Sequence, residues 1–434
     1  MTGSSPTVEW WRRPSPQPSF GPGPAIHSDT TANGVAFWAL MMFMAILLLA
    51  PQFMFPALAP FRLALLAGGV AVVAHTLDRW TAGRPSNVRT REMKLAACLA
   101  GWAGLTVPFS YWPGGSVEVL TDLFLKSLVL FWLIANVVNS IWRLRHFAWG
   151  LTLMSIPIAN TGLEHYLSGT FLSDGERIVG YEGSLTANPN DLALMLNLIL
   201  PFTLALVGLT RRPAVRALLL GIVALNITAI IVTFSRGGFI TLGVVLGITV
   251  ARLLRTPKRP WGLALLAVLL LSLPILPTSY GSRVATITDI DSDPTGSAQA
   301  RWALTVAALR FVFSHPVVGA GIGGDIYALN EDIGTWNNVH NAYLEFAVDL
   351  GFPGLVFFLL LFAACLGSTS IACHKVGRHP AESDLAYLAK AIRLSLIAFG
   401  VAALFHPVAY HFYFYCLAGL AAACRIHLAQ RASS

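Results

Sequence analysis

Apolar runs of about 20 residues, the length that an α-helix needs to cross a bilayer, fill the chain from residue 34 onward. Twelve such runs alternate with polar segments, at 34–54, 61–77, 95–111, 118–139, 147–163, 190–209, 216–234, 237–253, 261–277, 342–372, 392–407 and 409–427. The pattern predicts an all-α integral membrane protein with about twelve transmembrane helices. An even number of spans places both termini on the same side of the membrane.

Polar segments divide this pattern into five parts. Residues 1–33 are rich in Pro, Ser and Gly and are predicted to form a flexible cytoplasmic tail with no cleavable signal peptide. The longest hydrophilic segment, 278–341, is predicted to be a loop on the outer face that carries part of a site. Transmembrane helices 1–9 then occupy 34–277, helices 10–12 occupy 342–427, and 428–434 form a second cytoplasmic tail.

Composition and charge agree with a membrane protein. The chain is 55% hydrophobic and only 12% charged, whereas soluble domains are about 25% charged. Its net charge is +8, but all except seven of its 29 Lys and Arg residues fall in the segments predicted to be cytoplasmic. The positive-inside rule accounts for that excess, so we expect no nucleic-acid partner.

Metal and disulfide chemistry is not indicated. The five cysteines lie in or beside apolar segments without metal-type spacing. Asp289, Asp291 and Asp293 imitate the start of a calcium loop, but Pro294 stands where the turn glycine is needed and Ala300 where the bidentate acid is needed. We therefore expect no metal, no cofactor and no disulfide.

A histidine stands where a polar loop turns into an apolar helix, between Trp336 and Gly354. Asn341 and its neighbours favour a helix N-cap, and apolar residues follow at helical spacing until Gly351-Phe352-Pro353-Gly354 breaks or kinks the helix. His340 is therefore a titratable ring at a helix start. The alternative is that it is one more polar residue of the cap.

Seven cations remain on the predicted outer face, where topology does not require them: Arg62, Lys126, Arg177, Arg236, Arg283, Arg301 and Arg310. Cations kept there suggest an anionic ligand. At Ser235-Arg236-Gly237-Gly238, an arginine and two glycines begin a helix whose open amides and dipole would favour phosphate. The alternative is a tight outer turn whose arginine reaches lipid headgroups.

Two further segments carry outer cations. Residues 296–313 are predicted to form an amphipathic helix, followed by a glycine-rich turn that is no dinucleotide fingerprint because no strand precedes it. Arg301 and Arg310 are nine residues apart, so they lie on nearly opposite faces and at most one can reach a common site. Glu118, Asp122 and Lys126 share one face of the fourth span. Lys126 either pairs with Asp122 or binds phosphate.

Several of these motifs occur together and in order between about 180 and 370: Asn188-Pro189-Asn190, Ser235-Arg236-Gly237-Gly238, Arg301 with the turn 316–323, His340-Asn341-x-Tyr343-Leu344 and Gly351-x-Pro353-Gly354. Together they resemble the O-antigen ligase and polymerase superfamily of bacterial envelopes. The resemblance implies a helical glycosyltransferase of the C type (GT-C) in the bacterial inner membrane, with its active site facing the periplasm. It also implies an undecaprenyl-diphosphate-linked glycan donor, a lipid A core or glycan acceptor, and no nucleotide sugar or metal.

Transfer from a lipid diphosphate requires stabilisation of the leaving pyrophosphate and a base for the acceptor hydroxyl. Arg236 and Arg301 are predicted to bind the diphosphate, and His340, kept neutral at a helix N-terminus, to be the base in an inverting displacement. The remaining predicted substrate-binding residues are Lys126, Asn341, Gly237, Gly238, Arg310 and Tyr343. Asn341 has capping as its alternative, and the roles of Glu118, Asp122, Glu345 and Asp349 stay open.

The single outer loop favours a ligase over two other activities of the superfamily, the polymerisation of lipid-linked repeat units and protein O-glycosylation. A membrane transporter of a lipid-linked or anionic substrate is the alternative from another class. No internal repeat and no paired broken helices at the membrane centre are evident, and both are common in transporters.

Overall fold

The structure, a computed structural model, describes residues 34–83, 85, 87–170, 177–181, 185–272, 297–334, 336–374 and 380–433. Its regular elements are helices, and no strand occurs among the described residues. We label the longer helices α1 (Gly34–Leu49), α2 (Leu63–Thr81), α3 (Arg91–Thr106), α4 (Leu125–Val137), α5 (Ile141–Leu167), α6 (Pro189–Leu209), α7 (Pro213–Val232), α8 (Arg236–Leu254), α9 (Arg259–Ser272), α10 (Ser297–Ser314), α11 (Asp325–Ile333), α12 (Ala342–His374), α13 (Pro380–Ala402) and α14 (Phe412–Ser433).

Every predicted span overlaps a helix, although residues 273–277 of the ninth span lie outside the described residues. An all-α membrane protein is thus confirmed in the part of the chain that the structure describes. Seven helices of the described chain are long and apolar enough to cross a membrane: Pro56–Thr81, Pro189–Leu209, Pro213–Val232, Arg236–Leu254, Ala342–His374, Ser383–Ala402 and Phe412–Gln430. Gly34–Leu49 and Arg259–Leu271 are shorter apolar helices. The total of twelve spans therefore stays a prediction.

The core lies between α4, α6, α12, α13 and α14. Its centre is a group of buried aromatic rings: Phe346 stacks on Phe358 at 4.3 Å, and Phe358 and Phe399 both lie within 5.4 Å of Phe414, measured between ring centroids. Such pairs contribute beyond the area that they bury. Aromatic packing therefore joins α12, α13 and α14, and α12 is the helix that follows the segment 297–341.

A kink in α12 determines where that loop lies. Gly351 has φ 65° and ψ −173°, which interrupts the helical hydrogen bonding as the sequence predicted. Three carbonyls before the break are bound by groups from elsewhere: Ala320 N–H donates to Val348, Gly321 N–H to Asp349 and the Trp102 indole to Leu350, each at 2.8 Å. Within a membrane a freed backbone group needs such a partner, so the kink and the loop stabilise each other.

The glycine-rich turn after α10 is shaped to lie against that kink. Gly319, Gly321 and Gly323 have φ of 70°, 85° and 70°, a region that side chains other than glycine rarely adopt. A Cβ on Gly319 would overlap the Val348 carbonyl oxygen, and one on Gly323 would lie 2.7 Å from Val119. The predicted glycine-rich turn is therefore present, and its glycines allow it to pack closely on its neighbours.

The remaining predictions about the fold have different outcomes. The helix predicted at 296–313 is α10. The predicted tail 1–33, Arg283 and the aspartates Asp289, Asp291 and Asp293 lie outside the described residues. The predicted span at 392–407 begins earlier, because α13 starts at Pro380 and runs through the charged residues that limited the apolar run.

Candidate active site

His340 directly precedes α12. Asn341 is the residue that caps the helix, since its Oδ1 accepts the N–H groups of Tyr343 at 2.9 Å and Leu344 at 3.2 Å. The side-chain oxygen of Asn341 thus caps the helix, which is the role that the sequence analysis gave as the alternative to substrate binding. His340 is left outside the cap, with its ring available for chemistry.

The His340 ring is held in one orientation. Its Nδ1 lies 2.9 Å from the Asn338 carbonyl oxygen, and a ring nitrogen beside a carbonyl must carry the proton. Nε2 of the neutral ring then has the lone pair. Burial and the nearby charge of Arg301 lower the pKa of His340 to about 4, against the opposing effect of the Asn338 contact. His340 is therefore neutral at pH 7 with Nε2 able to accept a hydrogen bond or a proton.

Asp325 fixes the backbone that leads into His340. Its carboxylate, 1% exposed, accepts the Val339 N–H at 3.0 Å, and its own N–H donates to Asp349 Oδ1 at 2.9 Å. Burial raises the pKa of Asp325 to about 6, although backbone N–H groups oppose the shift. Sequence reasoning missed Asp325; the available signal was an acid at a helix start just after the glycine-rich turn.

Asp349 and Glu345, whose roles the sequence left open, join the loop to the membrane helices. Asp349 Oδ2 accepts the Gly323 N–H at 2.8 Å and the Tyr410 hydroxyl at 3.0 Å. Glu345 Oε2 accepts the Ala409 N–H at 3.1 Å. Both carboxylates are buried, so they hold the backbone around the site in place.

The N-terminus of α8 is the second part of the site. Ser235 caps it, accepting the Gly238 N–H at 3.1 Å and donating to Asn190 Oδ1 at 2.7 Å. A Cβ on Gly237 would lie 2.9 Å from Phe405. The two predicted phosphate-binding glycines thus allow close packing, and the Gly238 amide is already used by the cap. Arg236, half-buried, occupies the first position of the helix.

Arg177 lies beside this cap. Its Nη2 donates to Asn190 Oδ1 at 3.0 Å and its Nε to the Thr233 carbonyl at 3.4 Å. The same Asn190 oxygen therefore serves both Arg177 and Ser235, which places a second arginine next to the start of α8. The sequence marked Arg177 as an unexplained cation without assigning it to a site.

The connection 403–411 between α13 and α14 brings the parts together. Ala403 accepts the Ala342 N–H at 2.8 Å, Phe405 packs on Gly237, and His406 Nε2 lies 2.9 Å from Asp191 Oδ1 in the first turn of α6. The N-termini of α6, α8 and α12 thus meet at one connection. Neither Asp191 nor His406 was predicted, and the only signal for His406 was a His-Pro break between two apolar runs.

Three predicted substrate-binding residues lie apart from these contacts. Lys126 Nζ lies 2.8 Å from Asp122 Oδ1, and both side chains are about two-thirds exposed. Of the two roles that the sequence left open for Lys126, the structure contains the ion pair with Asp122. Arg310 is exposed whereas Arg301 is half-buried on another face of α10. The Tyr343 hydroxyl donates to the Gly400 carbonyl at 2.8 Å, and it therefore supports the packing of α12 on α13.

The groups that meet at this site are suited to bind an anion and to accept a proton. Helix N-termini and arginines favour an anion, and a neutral imidazole with a free Nε2 favours proton acceptance. One comparison with known proteins is informative: the family model described as O-antigen ligase matches residues 195–359, which contain Arg236, Arg301, Asp325 and His340. No curated protein matches the chain.

Proposed function

We propose, from the match of residues 195–359 to the family model described as O-antigen ligase, that the protein is a membrane glycosyltransferase of the ligase type. It transfers a glycan from undecaprenyl diphosphate to a sugar of the lipid A core. The reaction takes place on the periplasmic face of the bacterial inner membrane, within a GT-C fold whose termini are both cytoplasmic. It needs neither a metal nor a nucleotide sugar.

In the proposed reaction the acceptor hydroxyl attacks the anomeric carbon of the donor. His340 Nε2 takes the hydroxyl proton as the new C–O bond forms. The bond between the anomeric carbon and the diphosphate oxygen breaks at the same time, and its electron pair stays on the diphosphate. Arg236 and Arg301 stabilise that negative charge, and attack opposite the leaving group inverts the anomeric configuration.

The observation that carries the proposal is the state of His340. Its ring is neutral, its tautomer is fixed by the Asn338 carbonyl, and the charge of Arg301 acts on it. A base must be unprotonated before it can act. Binding of the anionic donor at Arg301 would offset the positive charge that now disfavours protonation, so the donor itself would make His340 a stronger base.

The first test is transfer from a purified undecaprenyl-diphosphate-linked glycan to purified lipid A core. Wild type should form product and His340→Ala should not, although it should remain folded because Asn341 supplies the cap. His315→Ala is the matched control, since His315 is an exposed histidine of the same loop whose ring stacks on Phe311.

Each outcome separates the activities that the superfamily contains. Product from both wild type and His340→Ala would reject His340 as the base while keeping the ligase. Joining of donor glycans into longer chains would identify a polymerase. Movement of the donor across a membrane without bond cleavage would identify a transporter. A reporter inserted at residue 330 should be periplasmic, and a cytoplasmic signal would refute the proposed orientation.

A further inference from the structure

A second histidine at the candidate site is paired with a carboxylate. His406 Nε2 lies 2.9 Å from Asp191 Oδ1, and the Tyr413 hydroxyl donates to the same oxygen at 3.2 Å. A carboxylate beside one ring nitrogen fixes the proton on that nitrogen. Asp191 thus holds the His406 ring in one orientation.

The other nitrogen of this ring has no partner. His406 Nδ1 is buried and makes no hydrogen bond within the part of the chain that the structure describes. The His406 side chain is 11% exposed, although Nδ1 itself is buried. Buried polar atoms nearly always have a partner, and none of the described residues supplies one to this nitrogen.

The surroundings of His406 favour an anion. Asp191 lies in the first turn of α6, and Phe405 packs on Gly237 in the first turn of α8. The N-termini of both helices, each carrying partial positive charge, therefore flank the ring. The charge of His406 also acts on His340, which places the two imidazoles in one site.

We propose that His406, held by Asp191, is a further binding residue for the diphosphate of the lipid-linked donor, which it contacts through Nδ1–H. This inference rests on the proposed function. The two imidazoles then have different roles: His340 faces Arg301 and a backbone carbonyl and stays neutral, whereas His406 faces a carboxylate and donates to the anion. Small side-chain rearrangements on donor binding would uncover Nδ1.

The inference predicts a pH dependence of donor binding. The probe is an undecaprenyl-diphosphate-linked glycan without acceptor, whose two phosphates are both substituted and stay ionised. Across the pH range in which the protein stays folded, wild type should bind this donor more tightly as the pH falls, because contact through Nδ1–H while Nε2–H faces Asp191 requires a ring that carries both protons. The groups that face His406 are Asp191, Tyr413, His411 and His340.

His406→Gln removes the charge while keeping a polar side chain. It should weaken donor binding about tenfold at the acid end of the range, the effect of losing one charge-assisted hydrogen bond, and its affinity should vary less with pH. Asp191→Asn keeps an acceptor for Nε2 but removes the negative charge, so it should change the profile in the same direction. His315→Gln, an exposed histidine, should retain the wild-type profile.

Two results would overturn the inference: His406→Gln binding as tightly as wild type at every pH, or weaker binding by the same factor at every pH, which is the signature of a structural role. If His406→Gln does not fold, the Asp191→Asn profile decides in the same way. Wild type that fails to bind the donor at all would overturn the proposed function itself, a result distinct from either of these.

Discussion

Gly351→Ala should destabilise the protein and abolish transfer, although Gly351 contacts no substrate in the proposed mechanism. Its φ of 65° with ψ of −173° lies in a region that is nearly restricted to glycine, where another residue costs about 1–3 kcal/mol. A Cβ there would also lie well under 3.0 Å from the Val317 carbonyl oxygen. Relieving that overlap moves the turn away from α12.

The second part of the cost comes from hydrogen bonds. Moving residues 316–317 breaks the 2.8 Å bond from the Phe352 N–H to the Pro316 carbonyl, and a buried unpaired group costs about 1–3 kcal/mol. Together the two effects amount to about 2–6 kcal/mol. Transfer should be lost because the same turn leads to Asp325, which holds the backbone beside His340.

Gly367→Ala is the matched control. Gly367 lies in the same helix, and a Cβ there would meet nothing within 4 Å, so alanine should be neutral or stabilise by about 0.5–1 kcal/mol through its better helix propensity. Both variants should be compared by denaturant unfolding in the same detergent and by glycan transfer. Equal stability and equal activity of the two variants would refute the coupling between the kink and the site.

Further predictions concern the site itself. Arg301→Ala should reduce transfer at least tenfold while Arg310→Ala, nine residues along α10 and exposed, should stay within twofold, a contrast that matched initial rates would reveal; equal losses would count against Arg301. Asn341→Ala should cost about 1 kcal/mol of stability through the lost cap, measured by thermal unfolding. Wild type should lose stability relative to His340→Asn as pH falls from 6.5 to about 4, because the unfolded chain binds a proton that the folded chain does not; parallel curves would contradict the low pKa of His340. A chelator should leave transfer unchanged, and activity that is lost and then restored by a divalent ion would contradict the metal-free mechanism.

The fold was predictable where local pattern alone determines structure. Each apolar run became a helix because a membrane leaves the backbone few other ways to satisfy its polar groups. The kink at Gly351 and the cap at Asn341 were also readable, since both depend on residue types at fixed local spacing. Lys126 shows where prediction from local pattern ends. Helical spacing placed Lys126 beside Asp122, but it could not show which residues of other elements would lie near that face of the helix.

The contacts that sequence reasoning could not predict join residues far apart in the chain. Asp191 and His406 are separated by 215 positions, and Asp349, whose role stayed open, is separated from Tyr410 by 61. Such pairs leave no periodic or motif signal, because each partner is an isolated polar residue in its own segment. His340 and Arg301 were accessible to the sequence because each stands on a helix or at a helix end whose local pattern marks it.

The kink in α12 is connected to the candidate site by a series of hydrogen bonds. Breaking α12 at Gly351 frees carbonyls that the membrane cannot solvate, and the turn 316–324 supplies the amides that they need. Asp349 then binds both Gly323 and the Asp325 N–H, and Asp325 binds Val339 beside His340. The need of the broken helix for hydrogen-bond partners thus helps to fix the position of the proposed base. Loosening any contact in this series would leave a buried polar group without its partner.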